Sequence, residues 1–281
     1  MNNKYLNKIQ RFFHFGNRSF KAYKNFIEHA KASGFEFVPL KEMVKEKETN
    51  EKLIGLRHDV DSELKHALKI AKIEHDAGIQ ATYFIRHTAK YFYTDMNSDK
   101  FNKTLIEKLL YLQNTLGHEI GLHTDLMPIE MIYKKDPVVY MNDLVDLLKS
   151  KGIHIVGIAP HGNLFRHIYR KKHLIEKKPA LNNLFTDPYA AIDLSILNID
   201  YEAYSLKHDY YFSDSRFINN KRWDFSYLTD DFYNTNGRII ILTHTIHWAP
   251  SKLYYFTINF MRTVRYFFSY IKEYINYRKS R

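Results

Sequence analysis

Four apolar runs in this 281-residue chain end in aspartate or histidine, and that repeated ending constrains the fold more than any other feature. The first, Leu53-Ile54-Gly55-Leu56-Arg57-His58-Asp59-Val60-Asp61, reads as a buried strand and gives way at Ser62 to a helical pattern. Alternate side chains of a strand share a face, so Asp59 and Asp61 point the same way. Two adjacent carboxylates repel unless a proton or a cation separates them. The second run, His118-Glu119-Ile120-Gly121-Leu122-His123-Thr124-Asp125, puts His123 and Asp125 on one face. The third passes from Ile153 through Ile158 into the turn Ala159-Pro160-His161-Gly162-Asn163. The fourth, Arg238 to Leu242, delivers Thr243-His244 and is followed by His247 and Trp248. Strands that each carry a polar group at their carboxyl end belong to a parallel sheet or barrel with its site at that rim.

From Leu53 onward apolar runs alternate with helical periods, the pattern of right-handed βαβ units. Helices are expected up to Ala77 with Gly78 as the stop, near Thr104 to Leu116, and from Pro137 to Lys151 behind an Asp136 cap. Between Phe165 and Trp223 the periodicity loosens. Residues 1–50 read as a helical extension packed on the barrel, 51–250 as the barrel, and 251–281 as an amphipathic helix rich in basic and aromatic residues.

The order of these motifs resembles the polysaccharide deacetylases, carbohydrate esterase family 4 and its relatives. The residues that carry the likeness are Asp59-Val60-Asp61, Gly117-His118-Glu119-Ile120-Gly121 with His123, Pro160-His161-Gly162, and the apolar strand ending in His244. Ala81-Thr82-Tyr83-Phe84-Ile85 and Ser213-Asp214-Ser215 support it, and the likeness spans Leu53 to Trp248. It implies an α/β fold, a deformed (β/α) barrel of about seven strands. It also implies Asp59 as general base, Asp61 and His123 as ligands of a divalent metal, and His244 as general acid. Two family positions differ: Met127 stands where a second histidine is usual, and Ala159 where an arginine usually pairs with the base. Asp125 and His161 are then the candidates for the remaining ligand, and Arg57 or His58 for the missing arginine.

The chemistry fits acyl transfer to water. Asp and His can hold a cation with positions left for water, and amide hydrolysis needs a base for the water and an acid for the amine. Asp214 could orient a histidine through its second ring nitrogen. Backbone N–H groups of the His161-Gly162 turn suit an oxyanion. Arg57, His58, Gly162, Asn163, His247 and Trp248 are candidates for substrate contact. Zinc comes first among metals, with cobalt, nickel or manganese as alternatives. A plainer reading makes Asp61 a helix cap, since aspartate is favoured there. The expected activity is removal of an acyl group from an amino sugar, a nucleotide- or lipid-linked precursor of surface polysaccharide. Hydrolysis of a small cyclic amide or ureide, or an inactive sugar- or lipid-binding module, are the alternatives.

Without cysteine there are no disulfides or thiolate metal sites. Met1 to Phe15 is basic but lacks the apolar core of a signal peptide, and no apolar run is long enough to span a bilayer. A cytoplasmic protein is expected, placed at the inner face of the membrane if the last helix binds lipid. The net charge of +11 admits nucleic acid, membrane or phosphate-linked partners, but no nucleic-acid-binding motif is present. Between Tyr254 and Tyr277, Arg262, Arg265, Ser269, Lys272 and Asn276 form a polar stripe opposite a wide apolar face. Such a helix either closes the barrel or lies on a membrane surface.

Overall fold

A computed structural model describes residues 18–45, 51–96, 100–162, 194–218, 221–251, 253–257, 260–261 and 264. Helix α1 (Phe20–Ala32) begins at Ser19, whose hydroxyl accepts from the Ala22 N–H, and buries Tyr23, Phe26, Ile27 and Ala30. Gly34, at φ +86°, turns the chain into β1 (Glu36–Val38), and a 3-10 turn follows at Leu40–Val44. Then come β2 (Lys52–Val60), α2 (Leu64–Asp76), β3 (Thr82–Arg86) and a hairpin of β4 (Tyr93–Asp95) with β5 (Lys100–Phe101). Helix α3 (Leu105–Leu110) runs on into a π turn at Tyr111–Thr115 before β6 (Glu119–Thr124). Next are α4 (Leu126–Met131), α5 (Pro137–Ser150) and β7 (Ile155–Pro160). After residue 193 the chain adds β8 (Tyr201–Glu202), β9 (Tyr210–Ser213), the β10–β11 hairpin (Phe217–Ile218 with Lys221–Arg222), α6 (Asp230–Asn234) and β12 (Gly237–His244). As expected, Asp136 caps α5, accepting from Val138 and Val139 at 2.8 and 3.0 Å.

Seven strands form a parallel sheet in the order β8-β7-β6-β3-β2-β12-β9. β8 and β9 are consecutive in sequence yet lie at opposite edges, joined by residues 203–209. Ala203 still bonds to Ile158 on one side, and Asp209 already bonds to Arg238 on the other. Flat, seven strands would hold these edges about 29 Å apart, the full reach of the extended link. The link instead turns, with Ser205 N–H on the Glu202 carbonyl. The sheet therefore curls into a half-barrel flanked by helices, a deformed (β/α) barrel.

The expected helical extension does more than pack outside. β1 joins the sheet, pairing with Leu53, Ile54 and Gly55 below the stretch of β2 that pairs with β3. Leu40 and Met43 plug the interior with Phe84, Ala159, Tyr201, Ala203, Leu206 and Ile240. Gly121 and Gly157 leave room there, because a Cβ on either would collide with the rings of Phe84 and Tyr201. On the outer face Ile54, Leu56, Val60, Tyr83, Ile85, Ile120, Leu122, Ile239 and Ile241 lie under the helices. Burial on both faces is why these strands are continuous apolar runs rather than alternating ones. Among the described residues no helix is long and apolar enough to cross a membrane.

Candidate metal and catalytic centre

The rim of the barrel is assembled from strand ends. Asp61 does not cap the helix after it: α2 starts behind Glu63, held at φ +57° with no side-chain cap bond. Asp61 instead reaches the space above the barrel, where His123 (end of β6) and His161 (just past β7) converge on it. Nε2 of His123 and Nε2 of His161 each lie 3.5 Å from Asp61 Oδ1. The His123 Nδ1–H donates to the Ala159 carbonyl at 2.7 Å, which fixes the tautomer and leaves an Nε2 lone pair facing inward.

This donor set fits a divalent cation. One ligand atom from each of Asp61, His123 and His161 falls within a common 4.8 Å, and Asp61 Oδ1 is buried with no hydrogen-bond partner. Bonds of about 2.0–2.1 Å in tetrahedral geometry put ligand atoms about 3.3 Å apart, close to the 3.5 Å at which each imidazole faces Asp61. A buried carboxylate oxygen without a donor is costly unless something positive faces it. Burial would raise the Asp61 carboxyl, but the neighbouring imidazoles of His123, His161 and His244 outweigh it and hold it below its ordinary value.

Asp59 lies one pleat deeper, 2% exposed, with Oδ2 3.5 Å from His123 Nε2. Arg57, two residues back on the same face of β2, grips it through Nε at 2.9 Å and Nη2 at 3.0 Å. The guanidinium lies between two rings, 4.3 Å from Tyr204 and 5.3 Å from Phe84, and also donates to the Tyr204 hydroxyl at 3.1 Å. Burial pushes the Asp59 carboxyl up, yet the Arg57 charge overcomes it and holds it below the usual carboxylate range.

Opposite stands His244, in register with Asp59 on the neighbouring strand. Its Nδ1 is 2.7 Å from Asp214 Oδ1, and its backbone N–H donates to Asp214 Oδ2 at 2.8 Å. His247 Nδ1 binds the same carboxylate at 2.9 Å. At these separations Asp214, His244 and His247 are joined by hydrogen bonds, whereas the 3.5 Å gaps around Asp61 leave lone pairs facing one another. Burial lowers both histidines. For His244 the Asp214 carboxylate outweighs burial and raises it to about 9. His247 is left near 4, with Arg18 and the His244 charge adding to burial. The pair thus shares one carboxylate and carries one positive charge, on His244, while His247 stays neutral and donates its Nδ1–H. Side chains of Asp61 (22%), His161 (14%) and His244 (15%) keep some exposure, so the centre opens outward past them.

Several expected roles change. Asp125 does not join the ligand set: it stands behind His161, its Oδ1 3.7 Å from His161 Nδ1, and takes Arg86 Nη2 at 2.7 Å and Thr88 Oγ1 at 2.6 Å. His161 converges with Asp61 and His123, whereas Met127 is buried in α4. Arg57, expected as a substrate contact or as partner of Asp59, binds the Asp59 carboxylate. His58 points to the other side of the sheet, where Nε2 meets Glu74 at 2.6 Å and Nδ1 meets Thr243 at 2.6 Å, so it is no substrate contact. Trp248, 1% exposed, packs on Tyr23 at 5.5 Å and Phe225 at 4.7 Å in the helix layer, not in a sugar pocket. His247 serves Asp214. The His161 N–H, one of the two expected to face an oxyanion, is bonded to the Thr124 carbonyl at 2.7 Å. Asn163 lies outside the described residues.

Arg86, Thr88 and Tyr204 escaped the sequence reading. The first two follow the strand Ala81–Ile85 directly, and the polar ending Arg86-His87-Thr88 repeats the signal seen on the other four strands. Tyr204 comes from the stretch without periodicity, where nothing marked it.

No family model matches the sequence, and no curated protein matches it. Among solved structures, a family 4 carbohydrate esterase from Bacillus anthracis aligns with a TM-score of 0.39 and 14% identity, over 84% of this chain and 82% of that one. We therefore draw the function from the site itself.

Proposed function

We propose that the protein is a metal-dependent hydrolase that removes an acyl group from an amino sugar. What supports this is that Asp59 and His244 stand in register on adjacent strands beside the Asp61–His123–His161 set, an arrangement suited to a base and an acid. Asp61, His123 and His161 would hold a divalent cation, zinc first among the metals that accept one carboxylate and two imidazoles. The chemistry such a cation brings is polarisation of an acyl oxygen and easier deprotonation of water. Asp59, kept ionised by Arg57, accepts the proton of the attacking water. The Gly162 N–H offers a bond to the oxygen that gains charge. His244 then donates its proton to the departing amine nitrogen, and Asp214 holds the ring in place on both sides of that transfer.

For substrate class we favour an N-acetylated amino sugar linked to a nucleotide or lipid, a precursor of surface polysaccharide. The test is acetate release from free, nucleotide-linked and lipid-linked N-acetyl sugars by metal-loaded protein. Acetate from any of them, lost in Asp59→Asn, supports the proposal. No acetate, with turnover of cyclic amides or ureides instead, would assign the centre to that other hydrolysis.

A further inference from the structure

Arg18, just ahead of α1, ties together the two stretches that hold Asp214, His244 and His247. Its carbonyl accepts from the Ala249 N–H at 3.0 Å, two residues past His247, and the Phe20 N–H donates to the Ala249 carbonyl at 3.0 Å. Its side-chain Nη2 donates to the Asp214 carbonyl at 3.0 Å and to the Trp223 carbonyl at 2.7 Å. One residue thus fixes the end of β9, where the carboxylate sits, against the turn after β12, where His247 sits.

A tie between carbonyls does not require a guanidinium. Arg18 is 4% exposed, its Nε and Nη1 have no hydrogen-bond partner, and among the described residues no carboxylate forms an ion pair with it. A buried charge without a counter-charge is costly, so a residue whose whole task was bridging carbonyls would be better neutral.

The charge lies beside Asp214 and its two histidines. Asp214 binds His244 Nδ1 at 2.7 Å and His247 Nδ1 at 2.9 Å, so these bonds alone do not decide which ring is charged. The surroundings of the rings differ. The charges acting most on His244 are the carboxylates Asp214, Asp61 and Asp59, with the Ser215 hydroxyl 3.4 Å from Nδ1. Those acting most on His247 are Asp214, Arg18 and His244 itself. Three carboxylates therefore favour a cation at His244, whereas two cations oppose one at His247.

We propose that Arg18 is a positioning residue: it holds the Asp214 backbone in place and sets an unpaired guanidinium against His247, which reserves the Asp214 carboxylate for a charged His244. Naming His244 the acid rests on the hydrolase reading, but the tie and the difference between the two rings do not.

NMR titration of the His244 and His247 ring signals in the full chain tests this without any substrate, so its failure would leave the catalytic reading untouched. In the wild type His247 should stay neutral until about pH 4, well below the pH at which His244 loses its charge. Arg18→Met should raise the His247 midpoint by at least about one unit, because a nearby unit charge is removed. Arg18→Lys keeps the charge and should restore the low midpoint. A purely structural tie would move the midpoint equally in both variants or in neither, and either result overturns the proposal. It also fails, before any variant is made, if His247 of the wild type takes up its charge at or above the pH at which His244 does.

Discussion

Asp59 and His244 are register partners on two adjacent parallel strands, and their side chains face the same space above the barrel. The two residues proposed as base and acid are thus held by backbone pairing rather than by loops, which is how a rigid scaffold keeps reacting groups in place. Asp59→Asn and His244→Ala should each lower kcat by roughly 10²–10⁴ while the protein keeps its metal, since neither belongs to the ligand set. Steady-state rates beside metal analysis of the same preparations check this.

The pH dependence follows from the two carboxylates. Asp59 is held below its ordinary value, so the acid limb of kcat/KM should fall only below about pH 4. His244, raised to about 9, keeps its proton through neutral pH, so the rate should fall as pH climbs through that value. Asp214→Asn removes the carboxylate that raises it and should move the alkaline limb toward about 6.5. Stability follows the same signs. The His244 contribution is full below about pH 6.5 and fades as pH rises toward 9, while that of Asp214, which the two histidines hold low against burial, is full above about pH 4 and is lost on further acidification. Denaturant titrations at several pH values measure both.

Arg57 has a role that lysine cannot copy. Its fork binds both oxygens of Asp59 and its flat face meets Tyr204 and Phe84, so Arg57→Lys should keep the charge and lose the geometry. We expect kcat to fall more than KM changes, with the acid limb moving up only slightly because the charge beside Asp59 is kept. Arg57→Met should also cost about 3–5 kcal/mol of stability, because it leaves Asp59 buried and unpaired.

Trp248 and His58 separate structure from chemistry. Trp248→Ala should cost about 3–5 kcal/mol of folding stability through the cavity it leaves beside Tyr23 and Phe225. His58→Ala should destabilise too, because Glu74, which burial would raise but His58 holds low, loses a partner inside the sheet–helix layer. In both variants KM of the protein that remains folded should be unchanged. A large rise in KM for Trp248→Ala would restore the sugar-pocket role.

The barrel was legible because both faces of its strands are buried, so each strand reads as an apolar run broken by turn residues. Strand ends carried the site for the same reason: Asp59, Asp61, His123 and His244 stand out against their apolar neighbours. Orientation was harder. His58 and Asp59 are adjacent letters on opposite faces, and only the sheet decides that His58 meets Glu74. Asp125 and His161 looked equivalent as ligands until the Arg86 and Thr88 side chains were seen to occupy Asp125. Tyr204 depends on a link whose path is set by the curl of the sheet rather than by any local period.

The central claim is that Asp61, His123 and His161 form a metal site, and elemental mass spectrometry of purified protein tests it most directly. The account predicts about one divalent ion per chain in the wild type, lost in His161→Ala and kept in His247→Ala. Equal metal in wild type and His161→Ala, or none in the wild type after incubation with zinc, cobalt, nickel or manganese, would contradict it.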